Sequence, residues 1–126
     1  MPLRLDRLST RLIALEVRRR RAGRVISLPV VVADYERERY LVALLGNDTN
    51  WVRNARAANG RAVLRHRRRE TVRLEGLDPS ERAPILRRYL VLAPGRRAHF
   101  PIDRDALLPD FQLIASDYPA FRIRTA

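Results

Sequence analysis

The chain has no cysteine, which excludes disulfides, zinc–thiolate sites, iron–sulfur clusters and cysteine nucleophiles. It has no lysine either, since all 26 basic residues are arginine. That removes a phosphate-loop lysine and Schiff-base chemistry. No apolar run approaches the ~20 residues of a membrane-spanning helix. The opening Met-Pro-Leu-Arg-Leu-Asp lacks the apolar core of a secretory signal, so a cytoplasmic location is expected. Dinucleotide-binding glycine patterns, phosphate loops, zinc-protease helices and serine-hydrolase elbows are all missing. There are two histidines, far apart in sequence. His66 sits among arginines and reads as a surface residue, while His99 sits in a loop and could face a pocket. No metal site is expected, and neither is a protein-borne catalytic acid or base.

What is present is a globular balance over 126 residues, with 46% apolar and 32% charged. One domain is expected, with residues 1–10 as a short lead-in. The net charge is +12. GC-rich coding explains the choice of arginine over lysine, but not the excess over acids. That excess implies an anionic partner: a phosphorylated cofactor, nucleic acid or an anionic membrane surface.

Residues 11–21 read as a strand with a basic end, and Ala22-Gly23 as a turn. Residues 24–33 are rich in valine and isoleucine and read as a strand. Pro29 within it cannot donate to a ladder, so it predicts an edge or a bulge. Residues 34–38 read as a charged hairpin connection and 39–45 as the next strand. A helix follows, offered caps by Asn47, Asp48, Thr49 and Asn50, with Trp51, Ala55 and Ala58 on one face and Asn59-Gly60 at its end. Strands over 61–67 and 70–77 flank a turn near Arg68-Arg69. Asp78-Pro79-Ser80-Glu81 starts a helix running to about Leu92. Asp103 is expected to cap a poorer helix through Ile114, interrupted by Pro109. Residues 118–124 read as the last strand. Connections in the first half are too short for parallel crossovers. The fold class expected is mainly β or α+β, a small antiparallel barrel with peripheral helices.

Two segments suit an anion. In 18–30 a strand ends in arginines, turns, and returns, exposing amides beside guanidinium groups. In 43–54 a strand, a glycine and a capped helix start place amides at a helix N-terminus. The plainer readings are a solvated basic hairpin and ordinary capping with Trp51 in the core.

Arg19-Arg20-Arg21-Ala22-Gly23-Arg24, Leu28-Pro29-Val30, Ala43 to Gly46, Trp51-Val52-Arg53-Asn54-Ala55 and the closing Tyr118-Pro119-Ala120-Phe121 stand in a recurring order and spacing. Together they resemble the deazaflavin-dependent nitroreductase family. The resemblance covers residues 18–77 and, more thinly, the end. It implies a split β-barrel of the flavin-mononucleotide-binding type. It implies coenzyme F(420), a deazaflavin with a ribityl phosphate and an acidic tail. By position, Arg20 and Arg21 would meet the phosphate or tail, and Gly23 would permit the turn. Ser27, Leu28 and Pro29 would line the ring, and Ala43, Leu44, Leu45 and Gly46 would pass along the cofactor. Trp51 and Asn54 would close the site. Ala22 stands where the family often has a hydroxyl. The family's lysine and paired glycines are replaced here by Leu44-Leu45-Gly46-Asn47, so Arg24 or Arg53 would have to supply a lost cation. Relatives of this barrel also bind flavin mononucleotide (FMN), haem or biliverdin.

The implied function is hydride transfer from reduced F(420) to a quinone-like or nitroaromatic acceptor, in which the cofactor carries the chemistry. The alternative is a basic ligand-carrying or nucleic-acid-binding barrel without redox activity. Nucleic acid is not the expected partner, because aromatics are 6% and no strand interleaves them with basic residues. Weak association with an anionic membrane and a homodimer are further expectations. Residues 93–117 are expected to shape the acceptor pocket.

Overall fold

Large apolar side chains at alternate positions make half-buried strands. In the computed structural model, which describes residues 12–21, 23–93 and 100–126, the first half forms four of them. These are β1 (Leu12–Arg18), β2 (Val25–Val31), β3 (Ala33–Tyr35) and β4 (Glu38–Val42). Next come helix α1 (Asn50–Ala57), β5 (Arg61–His66), β6 (Arg68–Gly76) and α2 (Pro79–Leu92). A short helix α3 (Leu108–Ile114), a single 3-10 turn (Ala115–Asp117) and β7 (Ala120–Thr125) complete the described chain. The expected lead-in 1–10, Ala22 and His99 lie outside the described residues.

The strands form one sheet in the order β2-β1-β5-β6-β7-β4-β3, antiparallel throughout. β2 and β3 are its two edges, yet only Val32 separates them in sequence. One residue spans about 3.5 Å, so the sheet must curl until those edges meet. The result is a split barrel, joined at Val32 and open along β2.

Period-two alternation then divides the core. Leu15, Val17, Leu41, Leu64, Val72, Leu74, Phe121 and Ile123 point inward and pack with Trp51, Val52 and Ala55 of α1. The rings of Trp51 and Phe121 lie 5.6 Å apart. The intervening residues Tyr40, Val42 and Ala120 point outward, into a second cluster with Leu86, Tyr89 and Leu90 of α2 and Phe111 of α3. Thus β4, and β7 at its Ala120 end, are covered on both faces, while Arg124 on the outer side of β7 stays exposed.

The structure corrects several boundaries. Residues 34–38 are not a plain connection: β3 and β4 are joined by Glu36 and Arg37, both at positive φ (47° and 69°), as a tight antiparallel turn demands. A three-residue strand is too short to show a period, and neither turn residue is the usual glycine or asparagine. The strand expected to reach residue 45 stops at Val42: the Ala43 N–H still donates to the Pro119 carbonyl (2.8 Å), but the Gly46 N–H donates back to the Ala43 carbonyl (3.1 Å) and the chain turns. The β5–β6 turn is at Arg67 (φ 71°) rather than at Arg68-Arg69. Pro109 does not interrupt a helix begun at Asp103. It lies in the first turn of α3, where its missing N–H costs nothing. Pro29 does lie in an edge strand.

Candidate functional site

Ile26, Leu28 and Val30 are the inward side chains of β2, half-buried because among the described residues no strand lies beyond them. Across the gap the chain leaves β4 through Val42, Leu44 and Leu45 and enters α1 at Thr49–Trp51. Between these two walls lies a cavity of about 810 Å³. Val17, Pro29, Val31 and Tyr89 complete its apolar lining, and Asp48, Thr49, Asn50 and Asn54 supply the polar groups. A mostly apolar slot with few polar groups at this size suits a flat organic ligand.

The polar end is built by one helix and one hairpin. Thr49 precedes α1, but its hydroxyl donates to the Gly46 carbonyl (2.6 Å) instead of capping the helix. The first amides of α1 therefore receive no side-chain cap. Asn54 is one turn further on and only 3% exposed. Its Oδ1 accepts from the Arg20 backbone N–H (3.2 Å) and from the Arg20 guanidinium (2.7 Å). Two donors on one amide oxygen fix which end is oxygen, and they leave the Asn54 NH₂ as the remaining donor at the cavity wall. The hairpin carrying Arg20 is closed by Arg18, which donates to the Gly23 carbonyl (3.0 Å), and by the Arg19 N–H on the Arg24 carbonyl (2.6 Å).

A smaller cleft of about 370 Å³ shares Leu44 and Leu45 and adds Gly46, Asp117 and Tyr118. Gly46 has φ 94°, a backbone conformation that L side chains rarely adopt, and lies beside the Asp117 carbonyl oxygen.

Of the residues expected at the site, Leu28, Pro29, Leu44, Leu45, Trp51 and Asn54 line the main cavity. Gly46 lines the smaller cleft, and Arg20 reaches the main one through Asn54. Arg21, Gly23 and Arg24 are exposed in the hairpin turn, Ser27 points to the outer face opposite Glu16, and Ala43 is buried in the barrel core. Ala22 lies outside the described residues. Ile26 and Val30 were within reach of sequence reasoning, because they alternate with Leu28. Tyr89 was not, since it arrives from α2. Phe100, Ile102 and Phe111 pack in the second core, so this part of 93–117 supports α2 and does not line the main cavity.

Two charged groups away from the cavity are structural. Arg39 and Glu70 form a two-point ion pair (2.9 and 2.6 Å) from β4 to β6, across β7. The hydrogen bond from Arg39 holds the Glu70 carboxyl below the usual carboxylate range. Arg82 is buried and donates to the Leu77 and Ala115 carbonyls (3.0 and 2.9 Å). Burial lowers its pKa, but a guanidinium stays protonated. No cluster suited to a metal ion occurs among the described residues, and no described helix is long and apolar enough to cross a membrane.

No family profile and no curated protein matches the sequence. Solved structures do match in shape. A protein of unknown function from Agrobacterium tumefaciens is 15% identical with a TM-score of 0.66; the match covers 98% of this chain and 53% of that one. The chain thus spans about half the length of that protein. An F(420)-H2-dependent reductase is 15% identical with a TM-score of 0.57, covering 90% of this chain and 94% of its own. A NimC/NimA family protein from Clostridium acetobutylicum is 14% identical with a TM-score of 0.57, covering 100% and 81%. The fold shared with them is the split barrel that the sequence resemblance implies.

Proposed function

We propose that the chain is an oxidoreductase that holds a deazaflavin of the F(420) type in the cavity between β2 and α1. The observation that carries this reading is the pairing of an apolar slot along the free edge of β2 with a polar end ordered by Arg20 and Asn54. The fold of an F(420)-H2-dependent reductase supports it.

The cavity fits such a ligand. Leu28, Val30 and Leu44 offer aliphatic surface for a ring, and the edge of β2, unpaired among the described residues, offers backbone groups beside it. Arg20 commits one guanidinium nitrogen to Asn54, so its other N–H groups remain for a phosphate. The uncapped first turn of α1 is a second anion-friendly element, with Asp48 beside it as an opposing charge. Arg21 and Arg24 stand in the neighbouring turn, where they would meet an acidic tail.

When bound, the cofactor supplies the hydride. The residues lining the cavity bind, orient and exclude water, which is the part of the rate that positioning provides. The acceptor is proposed to be a quinone-like or nitroaromatic compound entering beside Leu44 and Leu45, where the smaller cleft adjoins the cavity.

The test is a fluorescence titration at moderate salt with oxidised F(420) and, separately, with FMN. Saturable deazaflavin binding, lost in Leu28→Trp while the thermal transition is retained, is the expected result. Preference for FMN would keep the site and replace the cofactor. Binding of neither would overturn the proposal in favour of a carrier without redox activity.

A further inference from the structure

The outer face of the sheet, on the other side from the cavity, has an unusual charge pattern. Ala62, Leu64, Val72, Leu74 and Ile123 point into the barrel, so the residues between them point out. In the strand register Arg61 stands opposite Arg73, and Arg73 opposite Arg124. Arg65 stands opposite Arg69. All five are exposed. Like charges directly opposite each other on neighbouring strands destabilise a sheet, so a face that only met water would gain nothing from this arrangement.

Carboxylates offset it only in part. Glu16, 7% exposed, lies under Arg65 and Arg69 (3.4 and 3.1 Å). Glu75 is shared between Arg122 and Arg124, at 3.5 Å from each. Arg61 and Arg73 have no acidic partner among the described residues.

The arginines form two rows across the strands. Arg61 and Arg65 are four residues apart on β5, so the rows are about 13 Å apart at ~3.3 Å per residue. Between them stand Val63 and Thr71, uncharged and paired in register, and next to Val63 in the same row lies Glu16, buried beneath the Arg65–Arg69 pair. Two basic rails flanking a trough without exposed charge match the two phosphate rims of a duplex groove, which is ~12 Å wide on the major side.

We infer that the exposed face of β5, β6 and β7 docks double-stranded nucleic acid through its phosphates, without sequence preference. The scarcity of aromatics, which argues against stacking single strands, has no bearing on a contact made to the backbone of a duplex. A lipid surface fits less well. Of the exposed large aliphatic side chains, Leu12 and Val25 stand at the ends of β1 and β2 and the rest lie off the sheet, so none stands on β5, β6 or β7. The inference does not rest on the cofactor reading, because the arginine rows and the cavity lie on opposite sides of the sheet.

The experiment is fluorescence anisotropy of a short labelled DNA duplex of arbitrary sequence with the full chain over a salt series. It compares Arg61→Glu/Arg73→Glu with Arg37→Glu/Arg104→Glu, which makes the same charge change at exposed positions elsewhere. Wild type is expected to bind, with affinity falling steeply as salt rises. The first variant should lose at least about tenfold and flatten the salt slope by about 0.9 for each phosphate contact removed. The second should lose much less. All four positions are exposed, and thermal melts of both variants check that each stays folded. No duplex binding, equal losses in both variants, or binding to anionic vesicles but not to duplex would each overturn the inference.

Discussion

Arg20 and Asn54 meet through two hydrogen bonds that converge on a single atom, the Asn54 Oδ1. One comes from the backbone and one from the side chain of Arg20. The pair thus ties the β1–β2 hairpin to α1 and sets the direction of a buried amide at the cavity wall.

Arg20→Ala removes only the side-chain bond. A charge-assisted hydrogen bond is worth about 1.5–3 kcal/mol. Deazaflavin affinity should fall about tenfold or more, and Arg20→Lys should restore little, because an ammonium does not reproduce the guanidinium fork. Equilibrium titration of the three proteins checks this. Unchanged affinity in Arg20→Ala would leave Arg20 as a hairpin fastener alone.

Arg82→Leu should destabilise the chain by about 1–3 kcal/mol, since it strands the Leu77 and Ala115 carbonyls that its guanidinium satisfies. Chemical denaturation reads the loss. An Arg82→Leu protein as stable as wild type would mean that water replaces the guanidinium.

The Arg39–Glu70 pair makes stability depend on acid. The folded Glu70 pKa is lowered, so the unfolded chain binds the proton more tightly. The contribution is fully present above the ordinary glutamate value of about 4.3 and is lost as pH falls through the lower folded value. Both side chains are about one-third exposed, so screening limits it to about 1 kcal/mol or less. Glu70→Gln should remove that much at neutral pH and flatten the acid limb of the stability profile.

Gly60→Ala should cost more than about 1 kcal/mol, because φ is 81° and the added carbon would collide with the Leu74 backbone. Gly76→Ala is the control: its nearest neighbour would be the Phe121 ring at an ordinary contact distance of 3.8 Å. Equal melting temperatures for the two would contradict the close approach at Gly60.

Much of this was legible from local chemistry. Pro29 marks an edge because it lacks an N–H, and Asp78-Pro79 marks a helix start. The apolar walls at Leu28, Leu44 and Trp51 were expected from the family resemblance, carried over by position. What the sequence hides is long-range. Tyr89 enters the cavity wall from a helix packed on the other face of β4. Arg20 finds Asn54 across 34 positions, so a residue expected to meet a phosphate also orients a side chain. Glu36-Arg37 turns the chain without glycine, because the strands on either side force it to.

The place of β7 between β6 and β4 has a kinetic consequence. β3 and β4 lie near the start of the chain, yet β4 is joined to the main body of the sheet only through β7, by Tyr40–Val42 on Ala120–Arg122. During synthesis the first four strands therefore emerge long before the strand that brings β4 and β3 onto the rest of the sheet. Such non-local pairing slows folding. Closure of the barrel is a late event, and until then the slot beside β2 has only one of its two walls in place.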